Sequence, residues 1–393
     1  MAEDMAWTTA CTRATERGSG SRRRASVPLS DALGRVLDAD VHSLVDLPPF
    51  DTSAMDGWAV RGGGPWTIVG DHHAGDTPRA LDDGEALRIS TGAVAPPHSS
   101  VLRSENGTEN EGSVFTASGS PDFGSDIRRR GEEVRTGERI LSGNQLLTPP
   151  AIGLAAAAGL DVLEVIPLPR VAVLILGDEF AQSGSPVGGH VRDALAPQLP
   201  GWIEAMGAQL CSLHHVPDSL DATRQALSDA EADVVITTGG TAGGPADHMR
   251  AAVESSLGRW LVDGVAVRPG HPMKLATLSG DRSLVALPGN PLAAVSALVT
   301  LAWPLLDALA GRTIRRPVSR PLATRAEASP SAHRLVPGQI IEGVVHLTTR
   351  PGPAMLSGIA TADILAIVPP GEHPAADSMV EVLPLPWGSG LIV

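Results

Sequence analysis

The chain has 393 residues, of which 42% are hydrophobic and 3% aromatic with no Tyr, and its formal net charge is −14. That length exceeds one ordinary domain, that apolar content excludes a disordered chain, and that charge attracts neither nucleic acid nor an anionic membrane. An anionic substrate would need a local basic pocket working against the global field.

Residues 1–24 are polar, rich in Gly and Ser, and end in Arg22-Arg23-Arg24. They predict a flexible tail. Apolar spacing at Leu33, Val36 and Leu37 predicts a helix within 27–44, with Ser30 as its N-cap. Residues 46–135 change to Gly, Pro, Asp and short alternating runs such as WTIV and SVFTA, which predict a β domain with long loops. A second helix is expected over 146–160, with Pro149 and Pro150 in its first turn and an end near Gly159. The two helices bracket the β domain, as an insertion on a helical stalk (25–45 and 136–168) would. From 169 to 312 strands and helices alternate: RVAVLIL, a helix near 197–206, AQLCSLHHV, a helix over 219–230, DVVITT, PADHMRAAVES, a small hairpin, SLVAL and a long apolar helix from Pro291. That alternation predicts a doubly wound α/β domain with a mostly parallel sheet. Residues 313–393 return to short strands punctuated by Pro and Gly, which predict a small β-barrel or sandwich.

Of the 30 basic residues only Lys274 is a Lys, and it follows Met273, so a Walker A loop is excluded. Cys11 and Cys211 are the only cysteines, which leaves no zinc spacing and no disulfide framework. The N-terminus shows no apolar leader, and the apolar stretch 291–306 falls short of the ~20 residues of a membrane span, so a soluble cytoplasmic protein is expected.

Ligands of open α/β sheets bind outside the carboxyl ends of the strands. There Gly177-Asp178-Glu179 offers carboxylates for a hard cation or a polar turn. Gly239 and Gly240 open a glycine-rich loop, TTGGTAGGPAD, whose backbone N–H groups and following helix suit an anion. Asp247 sits in the first turn of that helix, where the dipole alone stabilises a carboxylate. Asp218 precedes a helix and reads either as an N-cap or as a functional acid. Pro288-Gly289-Asn290-Pro291 opens another helix toward the same edge. VRPGHPMK places Arg268, His271 and Lys274 on one short segment, either a solvated loop or an oxyanion site. Arg128-Arg129-Arg130 reads as a solvated face paired with Glu132 and Glu133. Asp51, Thr52, Ser53 and Asp56 crowd the segment PPFDTSAMDGWAV. RISTGAVAPP sets Ser90 and Thr91 before a Gly.

Taken together, PPFDTSAMDGWAV, RISTGAVAPP, DIRRRGEEV, ILGDEF, TTGGTAGGPAD, VRPGHP and LPGNP resemble, in this order, the motifs of the molybdopterin molybdenumtransferase family (MoeA and the gephyrin E domain). The resemblance runs from about Val27 to Val382. It implies a molybdopterin-binding, MogA-like α/β domain, an inserted β domain on a helical stalk and a C-terminal β-barrel-like domain. It also implies a transferase of molybdenum cofactor biosynthesis that inserts molybdate into adenylylated molybdopterin and releases AMP. Carried over position by position, it implies catalytic roles for Asp56, Thr91, Glu179, Asp218 and Asp247, with Asp56, Glu179 and Asp247 as Mg²⁺ ligands. Arg268, His271, Lys274, Asn290, Arg334, Ser357, Gly239 and Gly240 are implied to bind substrate. A homodimer is implied too, with the inserted domain of one subunit completing the partner's cleft. The expected partners are molybdopterin adenylyltransferase and molybdoenzymes. The chain departs from the family pattern at Glu133, Ile175, Leu176, Ala194, Leu195, Ala242, His271 and Ala293. Those losses of hydrogen-bonding groups raise an alternative, a divergent paralogue that binds molybdopterin or the molybdenum cofactor as a scaffold or carrier. The inserted and C-terminal domains argue against a molybdopterin adenylyltransferase. The missing Gly-x-Gly-x-x-Gly argues against a nicotinamide-dependent dehydrogenase.

Overall fold

The computed structural model describes residues 4–20, 23–117, 119–241 and 248–388. The chain divides into two compact units, one formed by 1–25 with 166–393 and the other by 26–165.

In the 26–165 unit the expected helix over 27–44 does not form. A strand at Ala25–Pro28 leads into a single helical turn, Leu29–Ala32. Gly34 then takes φ 73°, and short strands follow at Val36–Leu37 and Val41–His42. Leu33 remains 55% exposed, so the apolar spacing that suggested a helix is split between a turn and an extended run. Ser30 caps nothing; its hydroxyl contacts the carboxylate of Asp31. The second helix forms as expected, at Pro149–Ala157, with Thr148 accepting a hydrogen bond from Ala151 N. It packs on a three-stranded sheet through Leu37, Leu147, Ala151, Ala155 and Leu163. A six-stranded sheet makes up the β-rich remainder, in the order Ser100–Arg103, Gly57–Val60, Glu85–Ile89, Trp66–His72, Ser113–Thr116 and Gly107–Asn110. Strand alternation puts Trp58 and Val60 in one core and Ala59 in the other.

The larger unit is built on a second six-stranded sheet, in the order Gln209–Val216, Arg170–Leu176, Val234–Thr238, Ser283–Leu287, Lys274–Thr277, Arg259–Asp263. The first four strands are parallel, Lys274–Thr277 runs against them, and Arg259–Asp263, antiparallel to Lys274–Thr277, runs with them again. RVAVLIL is apolar throughout because both faces are covered. Val171, Val173 and Ile175 enter one core, and Ala172, Leu174 and Leu176 the other. Helices cover both faces, so the sheet is doubly wound.

The segment Pro291–Leu309 is apolar enough to cross a membrane by composition, with a mean hydropathy of 1.8, yet 83% of it is buried as the core helix of this unit. Its middle turn, Leu298–Ala302, is a π-helix. Pro304 cannot donate to the carbonyl one turn back, which accounts for the wider turn. The expected N-terminal tail is instead a helix, Trp7–Ser19, laid against this core helix. Trp7, Ala10, Ala14 and Gly18 are buried along one face, and Trp7 Nε1 donates to Thr300 Oγ1 at 3.0 Å. Gly18 permits the close approach, since a Cβ there would lie 2.5 Å from Leu305 O. Small residues that read as disorder in the sequence are therefore what lets two helices touch.

The C-terminal strands close into a barrel. His333–Ile341 pairs with Ile364–Val368 and Val344–Leu347; Met379–Pro384 joins Ile364–Val368 to Val318–Pro321. A bridge between Leu322 and Val345 completes the ring.

Candidate functional site

The α/β strands deliver their carboxyl ends to one edge. The first runs into Gly177, at φ 130°, where a Cβ would sit 2.4 Å from Glu179 Oε2. Only glycine lets the exposed Glu179 fold back in this way. Asp178 Oδ2 accepts from Asp218 N at 3.4 Å, which brings the ends of two neighbouring strands together. Asp218 is not a helix cap: Ser219 fills that position, its hydroxyl accepting from Ala222 N. Asp218 therefore stays exposed beside Asp178 and Glu179. Gly239 and Gly240 adopt φ 81° and 64°, a conformation that favours glycine, and Gly239 N donates to Leu287 O. Ala242 and Asp247 lie outside the described residues, so the proposed metal set of Asp56, Glu179 and Asp247 is not assembled here. Among the described residues no group of three His, Cys, Asp or Glu side chains is placed to hold a metal. Mg²⁺ commonly uses one or two carboxylates together with water and substrate phosphates, and the acids at this edge fit that mode better than a protein-only cage.

A second constellation gathers beside this edge. Val267-Arg268 pairs in parallel with His333-Arg334, so that Arg268 stands directly opposite Arg334. With His271, Asn290 and Ala293 they line a cavity of about 550 Å³ whose remaining walls are mostly Pro and Gly, including Pro351, Gly352 and Pro353. Arg268 donates to Val267 O and Arg334 to Glu327 O; neither guanidinium is ion-paired with a described carboxylate. The helix that starts at Pro291 contributes less than expected, because its Leu292 and Ala293 N–H groups already donate to Pro353 O. Anion recognition here therefore rests on side chains. Nδ1 of His271 is buried without an aligned hydrogen bond and lies 2.8 Å from Asp4 Oδ2.

Two expected members of this cavity are elsewhere. Lys274 stands across from Asp263 on the neighbouring strand and ion-pairs with it, and its ammonium lies 5.5 Å from the Trp260 ring centroid. Burial raises the Asp263 carboxyl, but Lys274 and Arg250, which also ion-pairs with it, hold it below its ordinary range. Ser357 is exposed and does not line the cavity. Three departures from the family motifs, Ile175, Leu176 and Leu195, are core side chains.

In the 26–165 unit the motif segments fold onto one another. Ser53 N donates to Ala93 O and Gly92 N to Ser53 O. This clamp aligns Thr91, whose N and Oγ1 both donate to Asp56 Oδ1, at 2.7 and 3.0 Å. These hydrogen bonds hold the exposed Asp56 carboxyl below its usual range, so it is ionised at neutral pH. The arginine triplet is not a loose solvated face. Arg129 pairs with Asp51 at 2.7 Å and Arg130 with Asp46 at 2.5 Å. Glu132 accepts only from the backbone N of Arg129 among the described contacts.

Sequence reasoning missed Asp4, placed in the supposed tail, and the Pro351–Pro353 wall. Asp193, which the family motif aligned but which was not among the candidate site residues, is a buried acid that accepts from Leu195 N and Ala196 N and lies 3.0 Å from His215 Nε2. A run of Trp7, Ala10, Ala14 and Gly18 at helical spacing was the available signal for the first of these.

Comparison with known proteins gives consistent results. A profile of the MoeA N-terminal region (domain I and II) matches residues 4–159, and one described as a probable molybdopterin binding domain matches 172–308. Molybdopterin molybdenumtransferase 2 of Mycobacterium tuberculosis is 32% identical over 371 residues, covering 88% of this chain and 91% of that protein. The molybdopterin molybdenumtransferase of Synechococcus elongatus is 31% identical over 381 residues, covering 91% and 93%. Among solved structures, a molybdopterin biosynthesis MoeA protein from Pyrococcus horikoshii superposes with a TM-score of 0.76 at 20% identity, over 98% of this chain and 100% of that one. At that identity the superposition speaks for the fold.

Proposed function

The chain belongs to the molybdopterin molybdenumtransferase family, and from that membership we propose that it inserts molybdate into adenylylated molybdopterin, releasing AMP and molybdenum cofactor. The observation that carries this reading is Arg268 beside Arg334, two guanidiniums without a carboxylate partner among the described residues, in a cavity of a chain with net charge −14. Such a pair suits a tetrahedral dianion, to which Arg donates in a planar fork while Asn290 adds a neutral donor.

The sheet edge would take the phosphoanhydride. Gly239 and Gly240 let backbone approach phosphate oxygens, and Glu179 and Asp218, with Asp247, would orient the attacking water and the phosphates. Mg²⁺ held by these carboxylates would neutralise charge on the phosphates. Thr91 would fix the ionised Asp56 as an acceptor or cation ligand. Because Asp56 is exposed, we read the assembly as a homodimer in which it completes the partner's cleft. The division into stalk (25–45, 136–168), inserted β domain (46–135), α/β domain (169–312) and C-terminal domain (313–393) is proposed with it, as is a cytoplasmic location. Exchange with molybdopterin adenylyltransferase and molybdoenzymes would follow. The test is to mix the purified chain with adenylylated molybdopterin and molybdate. AMP release that needs both molybdate and a divalent cation is expected; substrate binding without AMP under any metal would overturn the reading.

A further inference from the structure

Glu179 and Asp218 are exposed acids that follow the ends of two neighbouring strands, Arg170–Leu176 and Gln209–Val216. Both lie beyond the sheet, so their spacing depends on what fastens the two segments outside it. The chain leaving Glu179 runs out and returns. Phe180-Ala181 pairs with Val191-Arg192, Val191 N donates to Glu179 O at 3.0 Å, and Asp193 N donates to Ala181 O at 3.1 Å. Asp193 thus sits where the returning arm ends.

Asp193 is 4% exposed. A carboxyl is costly to bury unless its oxygens are hydrogen-bonded, and here each oxygen serves a different element. Oδ1 accepts from Leu195 N at 2.8 Å and Ala196 N at 3.0 Å, which closes the turn before the core residue Leu195. One acceptor oxygen is all that such a turn requires. Oδ2 is hydrogen-bonded to Nε2 of His215 at 3.0 Å. His215 belongs to the strand Gln209–Val216, three residues before Asp218. One side chain therefore ties the arm that returns from Glu179 to the strand that leads to Asp218.

We propose that Asp193 and His215 form a clasp that sets the spacing of Glu179 and Asp218, so that both carboxylates serve one cation and the phosphates it carries. The proposal rests on reading this sheet edge as the phosphoanhydride site. Asp193 and His215 are positioning residues, acting through the segments they join. With the clasp cut, the arm is held at its Oδ1 end alone, and the two acids shift independently. A site built from two carboxylates on separate segments then loses its preorganisation. The cavity of Arg268 and Arg334 is built on other strands, so its affinity for an oxyanion does not depend on the clasp.

The test cuts the clasp from the His215 side in the full chain, which leaves Asp193 Oδ1 and its turn intact. In His215→Phe the Mg²⁺ concentration for half-maximal AMP release should rise about tenfold, with molybdate affinity in calorimetry unchanged. His215→Ala, which fills no space a ring would need, should give the same shift should the Phe chain fail to fold. His215→Gln sets an amide nitrogen near the place of Nε2 and should recover most of the wild-type Mg²⁺ dependence. Amide hydrogen exchange without substrate is the readout independent of turnover. The Val191 and Asp193 amides should exchange about tenfold faster in His215→Phe and His215→Ala than in the wild type, and close to the wild-type rate in His215→Gln. A lower unfolding midpoint with an unmoved Mg²⁺ requirement would mark a merely structural contact and overturn the positioning role. Unchanged exchange at Val191 and Asp193 would overturn the clasp itself. Absence of AMP release from the wild-type chain under any cation overturns the reading of this edge and the positioning role with it, while exchange still shows whether the clasp exists.

Discussion

Replacing Asp307 by Asn should stabilise the larger unit at pH 8 and do little near pH 3.5. Asp307 lies on the core helix, 2% exposed, and burial pushes its carboxyl from an ordinary 3.8 up to about 6, against the opposing pull of Arg315 and Arg312. The folded form therefore binds its proton more tightly than the unfolded form. Stability from that proton is fully present below about pH 4 and is lost as pH rises through about 6. The span from 3.8 to about 6, at 1.36 kcal/mol per pH unit, corresponds to roughly 3 kcal/mol, a figure that already contains the attraction of both arginines. Asn resembles the protonated acid in shape and charge, so its stability should not change over this range on account of position 307. The difference between the two chains should be near zero at pH 3.5, about half its full size at pH 5, and complete above pH 7. Urea unfolding at these pH values, following the transition of the larger unit, measures it. A constant difference between pH 5 and 8, or an Asn variant less stable at pH 8, would refute the reasoning.

The other predictions concern the sites. Thr91→Ala removes the hydroxyl's hydrogen bond to Asp56 and keeps the backbone one, so the carboxyl should move only part of the way back toward its ordinary range and AMP release should drop about tenfold. Arg334→Ala should weaken molybdate binding by about 10- to 100-fold in calorimetry. Lys274→Ala should leave that affinity unchanged and lower stability by an amount between the ~1 kcal/mol of an exposed ion pair and the ~3 of a buried one. Mixing Asp56→Asn chains with Glu179→Gln chains should recover part of the AMP release that each lacks alone, provided subunits exchange; no recovery would count against a shared cleft. Trp7→Ala should cost about 3 kcal/mol of larger-unit stability in thermal or denaturant unfolding, since it removes a buried ring and its bond to Thr300.

Much of the α/β scaffold was readable because its signals are local. The uninterrupted RVAVLIL run and the long apolar stretch from Pro291 each point one way, as does, in the other unit, the proline at the start of the helix after Thr148. Register was not local. Nothing between Arg268 and Arg334 announces that their strands pair, and strand pairing is also what carries Lys274 to Asp263 and away from the cavity. The strand His333–Ile341 was missed because Pro337 and Gly338 interrupt it, and both are tolerated beside Ile364–Val368. The helix at Trp7–Ser19 was hidden by the small residues that let it pack. Asp56 and Thr91 were singled out by their motifs, but the clamp through Ser53, Gly92 and Ala93 that unites them is backbone hydrogen bonding no side-chain pattern encodes.

The larger unit is discontinuous in the chain, and this bears on its synthesis. A ribosome completes residues 26–165, a continuous unit, before it has made any strand of the doubly wound sheet. The first helix meanwhile has already emerged, and its docking partner near Thr300 appears some 135 residues after Val165. At ~5–20 residues per second that wait is on the order of ten seconds. Throughout it Trp7, Ala10 and Ala14 remain an uncovered apolar stripe on the nascent chain, open to chaperones or to a neighbouring polypeptide on the same message.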